Sequence, residues 1–337
     1  MVQPGRTIVR HRNPAAAFLL GAAVMIATVA AAQEKLAARP GGYPTKPVRV
    51  LVGSPAGSGS DLMMRSVAQK LTERWGQSII VDNRPGAAGA ISLQLAVRAT
   101  PDGYTLATLS AQNVTAMLLG TVTTNIPKDL TPVVLMITQP YIMVATPSLP
   151  AGSVKELIAL AKAKPLVYAS SGTGSVVHLG MELFKFMAGV EMTHIPYKGS
   201  GLSMIDVMSG RVQLAITNTL TATPLVRSGK LKGLAITSPQ RVQAMPDLPT
   251  VAESGVPGYE LRSWYGLLAP NATPASLVAA LNREVGQTLN APEMKEKLAA
   301  DGAEAAAPNT PEQFRKVIAG EIVKWGRLIK KLAIKIK

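Results

Sequence analysis

Apolar residues recur along the chain in two alternating patterns, short continuous runs and four-residue spacings. Runs rich in β-branched residues, such as Val48–Val52 and Ile79–Val81, predict buried strands. Between them, Met63, Val67 and Leu71 lie four residues apart, which places them on one face of a helix. This order of strand and helix repeats over residues 48–109 and predicts a parallel sheet with helices on its faces.

The same alternation starts again after Pro147 and continues to about residue 236. Two further apolar stretches, Val133–Ala145 and Tyr259–Leu268, are interpreted as extended connections between the two halves. We therefore predict an α/β fold of two lobes joined by two crossings, each lobe a mainly parallel sheet flanked by helices. Residues 33–142 with 262–337 form the predicted lobe 1, and residues 143–261 form lobe 2.

Residues 1–32 differ in composition from the rest of the chain. Arg6, Arg10 and Arg12 form a basic front, an alanine-rich apolar run follows, and Ala30-Ala31-Ala32 ends it just before Gln33. This order is typical of a secretory signal peptide. A permanent membrane anchor is the alternative, although the run falls just short of the roughly 20 residues that span a bilayer. We expect cleavage before Gln33 and a mature protein in the periplasm.

Composition excludes several kinds of chemistry. The 337 residues contain no cysteine and only three histidines, which removes disulfide scaffolds and thiolate zinc sites and argues against a histidine-cluster metal site. The formal net charge of +15 attracts anions in general. No basic stripe with interleaved aromatic residues occurs, so we do not expect nucleic acid as a partner. The basic residues of 324–337 are expected to cover the solvent face of a last helix.

Two loops rich in glycine, serine and threonine each lie between a predicted strand and a predicted helix. They are Ser54–Asp61 and Ser170–Ser175. At such positions, free backbone N–H groups and the positive end of the helix dipole bind an anion without an arginine. Helix capping alone is the alternative, because Ser60, Asp61 and Ser175 would be good N-caps. The occurrence of one loop in each predicted lobe favours a binding cleft.

Catalysis is the other hypothesis for this region. Ser171 or Ser175 could act as a nucleophile with His178 as its base. However, Ser175 and His178 are three residues apart on one predicted helix, and no Gly-x-Ser-x-Gly elbow occurs. We predict no catalytic residues, no metal and no cofactor. An exported enzyme that acts on small carboxylates through Ser171 and His178 stays open as the alternative.

A series of short motifs occurs in order over essentially all of residues 43–337. They are Tyr43–Arg49, Pro55–Asp61, Val81–Gly89, Pro101–Leu106, Asp129–Val133, His194–Gly199, Gly229–Leu231, Leu248–Gly255 and Glu321–Trp325. No single motif is decisive, but the ordered set is specific. It resembles the tripartite tricarboxylate transporter receptors, the Bug-type periplasmic binding proteins.

The resemblance implies a Venus-flytrap receptor that closes on a small, usually carboxylated solute for transport or sensing. It implies that the ligand carboxylate is held mainly by backbone N–H groups and waters of the two loops, at Ala56, Gly57, Ser58, Gly59, Ser60 and Asp61 and at Ser170, Ser171, Gly172, Thr173 and Ser175. Further side-chain contacts are implied for Ser110, Gln112, Thr217 and Asn218.

The resemblance also bears on the ligand class and on the partners. The family often carries an aspartate where this chain has Thr217, which disfavours a ligand with a positively charged amino group. A membrane permease is the implied partner, and the receptor itself is expected to be a monomer.

Overall fold

The computed structural model describes residues 42–300 and 302–331. The chain divides into two compact units, residues 1–45 and 46–337, and of the first unit only residues 42–45 are described. The signal peptide predicted for residues 1–32 therefore lies outside the described residues, as do the last six residues of the basic run. All helices and strands given below belong to the second unit.

The strands and helices alternate along most of the chain, as the hydrophobic pattern predicts. The strands are β1 (Val48–Val52), β2 (Ile79–Asn83), β3 (Thr105–Ser110), β4 (Leu130–Ala145), β5 (Val167–Ser170), β6 (Thr193–Pro196), β7 (Leu214–Asn218), β8 (Lys232–Ile236), β9 (Arg262–Pro270) and β10 (Glu304–Ala305). The helices are α1 (Gly59–Trp75), α2 (Ala90–Val97), α3 (Ala111–Leu118), α4 (Ile126–Asp129), α5 (Val154–Ala163), α6 (Val176–Ala188), α7 (Ser200–Met208), α8 (Thr219–Arg227), α9 (Ala275–Leu289), α10 (Pro292–Ala300) and α11 (Pro311–Lys331).

The strands form one mixed sheet in the order β2-β1-β3-β9-β4-β7-β5-β6, with β8 and β10 both paired to β4. Strand β1 is parallel to β2 and β3, and β5 is parallel to β6 and β7. Strand β9 pairs antiparallel with β3 and β4, and β4 pairs antiparallel with β7 and β8. Parallel pairing is therefore present in both halves, but the two long strands add an antiparallel centre.

Strand β4 changes partners halfway along its length. Residues Leu130–Pro140 pair with β9, whereas Tyr141–Ala145 pair with β7 and β8. The strands thus fall into a first group (β1, β2, β3, β9, β10 and residues 130–140 of β4) and a second group (β5–β8 and residues 141–145 of β4). The two stretches interpreted as extended connections are these paired strands, β4 and β9.

The last helix, α11, packs its apolar side on the sheet, mainly against β4, and Phe314 also touches β9. Phe314, Ile318 and Trp325 are buried, whereas Lys324 and the other described basic residues of its last turns are exposed. Gly266 of β9 allows the close approach, because a Cβ atom there would lie 2.1 Å from the ring of Phe314. The solvent-face prediction for the basic run is confirmed for its described part.

Several helices begin at the carboxyl ends of parallel strands. Helices α1 and α3 follow β1 and β3, and α6, α7 and α8 follow β5, β6 and β7. Parallel strands present their carboxyl ends at one edge of a sheet, where ligands of open α/β folds bind. Among the helices of the described residues, no helix has the length and apolar character needed to cross a bilayer.

Candidate ligand-binding site

A cavity of about 500 Å³ lies at the carboxyl ends of these parallel strands. Both strand groups contribute to its wall. The loop after β1, the start of α3 and the turn at Pro85–Gly89 come from the first group, and the loops after β5, β6 and β7 come from the second. Tyr141 of β4 and Ser263 and Tyr265 of β9 complete the wall.

Six helices begin at this cavity. The lining residues include Gly59 of α1, Gln112 of α3, Val176 of α6, Ser200 of α7, and Gly89 and Asn218, which are the N-caps of α2 and α8. The first-turn N–H groups of a helix lack partners within the helix, and the helix dipole makes this end positive. Because these helix N-termini converge on the cavity, their backbone dipoles give it a positive potential without the need for charged side chains.

The charged side chains agree with this polarity. Among the lining residues that the structure describes, Lys198 is the one cation and there is no aspartate or glutamate. Burial raises the pKa of the Tyr265 phenol to about 12 and raises the pKa of Tyr141 as well. Both phenols therefore stay protonated at neutral pH and remain hydrogen-bond donors. A cavity of this kind is suited to an anion.

The first loop contributes hydroxyl groups to the wall. Ser58, Gly59 and Ser60, three of the residues predicted to bind the ligand, line the cavity. The hydroxyl oxygen of Ser54, which also lines it, lies 2.6 Å from that of Ser58 and 2.5 Å from that of Ser60. These linked hydroxyls hold the loop in a fixed shape and leave donors free for a ligand.

Three other members of the predicted first loop do not line the cavity. Ala56 and Gly57 lie outside its wall, and the N–H of Gly57 donates at 2.8 Å to the carboxylate of Asp61. Asp61 is only 1% exposed and also accepts from Arg65 at 3.0 Å and from Asn83 at 2.9 Å. Gly57 and Asp61 therefore hold the shape of the loop through this hydrogen bond, and Ala56 lies exposed beside them.

The pKa of Asp61 reflects these contacts. Burial on its own raises the pKa of this carboxyl group, but the hydrogen bonds from Arg65, Gly57 and Asn83 outweigh it and hold the pKa below its usual value. Asp61 is therefore ionised and fully partnered at neutral pH, and we assign it a structural role.

The second loop also divides into wall and support. Ser171, Gly172, Thr173 and Ser175 line the cavity. Ser170 does not: it is 1% exposed, and its hydroxyl oxygen lies 2.7 Å from Nε2 of His194 and 3.1 Å from the N–H of Gly172, which donates to it. Its role is to hold the loop that follows β5.

Side-chain contacts with the ligand are implied for four further residues, and all four line the cavity: Ser110, Gln112, Thr217 and Asn218. Thr217 is 1% exposed, and its hydroxyl has no hydrogen-bond partner among the described residues. Because a buried hydroxyl without a partner is costly, this group is available to a ligand or a water. Asn218 instead caps α8, where its side-chain oxygen accepts from the N–H of Thr221 at 2.9 Å.

Several lining residues were not predicted from the sequence. They include the turn Pro85–Gly89, Asn113, the segment Lys198–Ser200, and Tyr141, Ser263 and Tyr265 on the two long strands. The Lys-Gly-Ser segment follows a strand and precedes a helix, so the rule that identified the other two loops applies to it. The residues on β4 and β9 had no such signal, because only the register of these strands brings them to the cavity.

The candidate catalytic pair does not have the geometry of a nucleophile and its base. Nδ1 of His178 accepts from the N–H of Gly174 at 3.0 Å, so the proton of the neutral ring is on Nε2. Burial lowers the pKa of His178. Neither ring nitrogen therefore has a free lone pair for Ser171. Among the residues that the structure describes, no cluster of three or more acidic or histidine side chains could hold a metal ion.

Comparison with known proteins places the chain in a family. Residues 63–334 match the model of the tripartite tricarboxylate transporter family receptor. The chain is 35% identical over 300 residues to protein BugT of Bordetella pertussis, an alignment that covers 88% of this chain and 92% of BugT. It also resembles R. palustris Rpa4515 with adipate, with a TM-score of 0.84, 36% identity and coverage of 87% and 99% of the two chains.

A second solved structure supports the same assignment. The periplasmic binding protein BugD has a TM-score of 0.81 and 32% identity, over 88% of this chain and 100% of that chain. The resemblance predicted from residues 43–337 and the α/β fold class of the periplasmic binding proteins are confirmed. The chain belongs to the tripartite tricarboxylate transporter receptor family.

Proposed function

We propose that this protein is a periplasmic solute-binding receptor that captures a small carboxylated solute in the cavity. One observation carries the proposal: six helices begin at a cavity to which no described carboxylate contributes. Helix N-termini and neutral donors stabilise an anion, whereas a cationic ligand would meet no counter-charge there. Rpa4515, a similar protein of known structure, was solved with adipate, which supports a carboxylate as the ligand class.

The receptor consists of two lobes, residues 33–142 with 262–337 and residues 143–261. The change of partners along β4, after Pro140, supports this boundary, since β9 begins at the same level of the sheet. In the cavity wall, the side chains of Ser58 and Ser60 come from lobe 1, and those of Ser171 and Ser175 come from lobe 2. A ligand that contacts both loops favours the closed arrangement of the lobes.

Binding rather than catalysis is the activity of this site. The alternative, an exported enzyme using Ser171 and His178, requires a base with a free lone pair, and Nδ1 of His178 is occupied by Gly174. The pKa of His178 is also low, so it is a weak base. A receptor needs only the donors that the cavity already presents.

The protein is exported by a cleaved signal peptide and acts as a monomer. Its further partner is a membrane permease, to which it delivers the solute, or a sensing system. The leader-like composition of residues 1–32 and the membership of a receptor family support this assignment. N-terminal sequencing of periplasmic material tests it: Gln33 is the expected first residue, and an intact Met1 in a membrane fraction would contradict export and release.

Calorimetric titration with adipate, its monoamide and its diamide tests the ligand class. We expect adipate to bind and the uncharged diamide not to bind, because the helix ends favour the anion. Mass spectrometry of the incubated mixture should recover adipate unchanged. Tight binding of the diamide or of a primary amine would contradict the carboxylate assignment, and conversion of the solute would favour the enzyme.

A further inference from the structure

A stack of aromatic rings supports the second loop from behind the cavity wall. The rings of His178 on α6 and His194 on β6 lie 4.0 Å apart between centroids, with an interplanar angle of 18°. The ring of Tyr168 on β5 lies beside this pair, 5.0 Å from the His194 ring and 6.4 Å from the His178 ring. Neither histidine lines the cavity, and His178 is only 7% exposed.

The two histidines hold the two ends of this loop. Nδ1 of His178 accepts from the N–H of Gly174 at 3.0 Å, and Nε2 of His194 lies 2.7 Å from the hydroxyl oxygen of Ser170. The backbone N–H of His178 in turn donates to the hydroxyl of Ser175 at 3.3 Å. Gly174 and Ser175 both line the cavity. The shape of the wall therefore depends on a ring nitrogen that accepts a hydrogen bond.

We propose that His178 is a positioning residue of the ligand site: its unprotonated Nδ1 fixes Gly174 and thereby the loop 170–175, and protonation of the ring releases this loop and weakens ligand binding. This regulation rests on the proposed function, since it acts on the same cavity. His178 exerts its effect through Gly174 and does not touch the ligand.

Protonation would disrupt the contact directly. A protonated ring carries a hydrogen on Nδ1, so two N–H donors would face each other where one hydrogen bond now exists. Gly174 has a φ of +78° and Gly172 a φ of +134°, conformations that glycine adopts without strain. The loop can therefore change shape at these glycines once its anchor is lost.

The surroundings keep both rings neutral at neutral pH. The groups that face the pair are Tyr168 on β5 and Glu182 and Lys185 on α6. Burial lowers the pKa of His178, and it lowers the pKa of His194 to about 4. Glu182 opposes this shift, but its carboxylate already accepts from Tyr168 at 2.5 Å and from Lys185 at 2.9 Å. Ligand affinity should thus be constant near neutral pH and fall only in acid.

Two substitutions distinguish the effect of losing the hydrogen-bond acceptor from the effect of losing the imidazole ring. In His178→Asn, the side-chain oxygen replaces Nδ1 as an acceptor but does not titrate. In His178→Leu, the volume is roughly kept and the acceptor is lost. At about pH 7 we expect His178→Asn to bind adipate within about threefold of the wild type and His178→Leu to bind it at least about tenfold more weakly, because a buried N–H loses its partner. Thermal unfolding without ligand controls for folding.

The pH profile distinguishes positioning from packing. Between about pH 7 and about pH 4.5, adipate affinity should fall more steeply for the wild type than for His178→Asn, in which only the ligand and the remaining groups titrate. A purely structural role for the ring would change stability and leave the two profiles parallel. Parallel profiles, or unchanged affinity in His178→Leu, would overturn the proposal.

A measurement without ligand keeps this result independent of the proposed function. The amide proton of Gly174, followed by NMR, should move upfield and lose protection relative to the intrinsic exchange rate at each pH as the wild type is acidified. Its chemical shift and its protection should stay unchanged in His178→Asn. If this holds while no carboxylate binds, the receptor function fails and the positioning role must be assigned to another ligand class. If the Gly174 amide is insensitive to pH in the wild type, the proposal is wrong whatever the protein binds.

Discussion

At the scale of single residues, Gly59 is where both strand groups approach the start of α1. A Cβ atom on Gly59 would lie 3.0 Å from Oδ1 of Asn218 and 3.0 Å from the hydroxyl of Tyr265. Gly59→Ala is therefore expected to weaken adipate binding by about tenfold or more, because the methyl group displaces polar atoms that face the ligand. Calorimetric titration measures this loss.

The matched control for this substitution is Gly286→Ala. Gly286 lies inside α9, and a Cβ atom there would meet nothing within 4 Å. The control should keep its affinity and gain about 0.5–1 kcal/mol of stability. Gly57 and Gly172 would be poorer targets, because their φ angles of +78° and +134° strain any side chain and mix folding with binding. Unchanged affinity in Gly59→Ala would place the ligand away from α1.

Lys198 is the residue that should separate dianions from monoanions. It is exposed at the cavity wall, and within the described ranges it has no acidic partner. We expect wild-type protein to prefer adipate over its monoamide and Lys198→Met to lose about fivefold to tenfold of this preference, as a partly exposed charge pair would contribute. Lys230→Met, a change of an exposed lysine outside the cavity wall, is the control. Equal preference in Lys198→Met and wild type would contradict this role.

Residues of the candidate site could be predicted from the sequence where a loop follows a strand and precedes a helix. The members of such loops that line the cavity, including Ser58 and Thr173, follow from this pattern and the resemblance. The pattern could not tell lining from supporting residues: Asp61 and Ser170 turn away because their side chains are used in hydrogen bonds within the protein. That distinction depends on contacts between residues distant in sequence, such as Asp61 with Asn83.

At the scale of elements, the packing of α11 on β9 should be intolerant of added volume. Gly266 has no space for a side chain, because its Cβ would lie 2.1 Å from the ring of Phe314, which is fully buried. Gly266→Ala is expected to reduce the free energy of unfolding by about 1–3 kcal/mol, through displacement of this ring. Chemical denaturation measures the effect.

Gly320 of α11 provides the comparison for this prediction. A Cβ atom on Gly320 would meet nothing within 4 Å, and the residue lies inside the helix. Gly320→Ala should stabilise the protein by about 0.5–1 kcal/mol, because alanine has the higher helix propensity. A similar loss of stability in both variants would show that α11 tolerates no change at all and that the contact with β9 is not specific.

The order of elements was predictable because helices and strands bury apolar residues with different periods. Strand β1 coincides with its predicted bounds. Strands β4 and β9 were interpreted as connections because they are buried on both faces, so their sequences show no alternation. Helix α3 was not predicted, since its N-cap Ser110 immediately ends a strand and leaves no loop between them.

At the scale of the whole molecule, two long strands connect the two groups that make the site. Strand β4 passes from one group to the other at Pro140, and β9 pairs with it up to that level. The proposed lobes would therefore share few covalent connections, and the sequence contains no signal for the angle between them. A ligand that contacts both loops would link the two strand groups across the cavity.

We predict that adipate closes the molecule and stabilises it. At a hundred times the dissociation constant, ligand binding contributes about 2.7 kcal/mol, which corresponds to a rise in melting temperature of about 5 °C for a protein of this size. Small-angle scattering should show a smaller radius of gyration under the same conditions. Gly59→Ala, at the same adipate concentration, should show smaller changes in both. A full rise in melting temperature with no change in the radius of gyration would mean that the site binds its ligand without movement of the lobes.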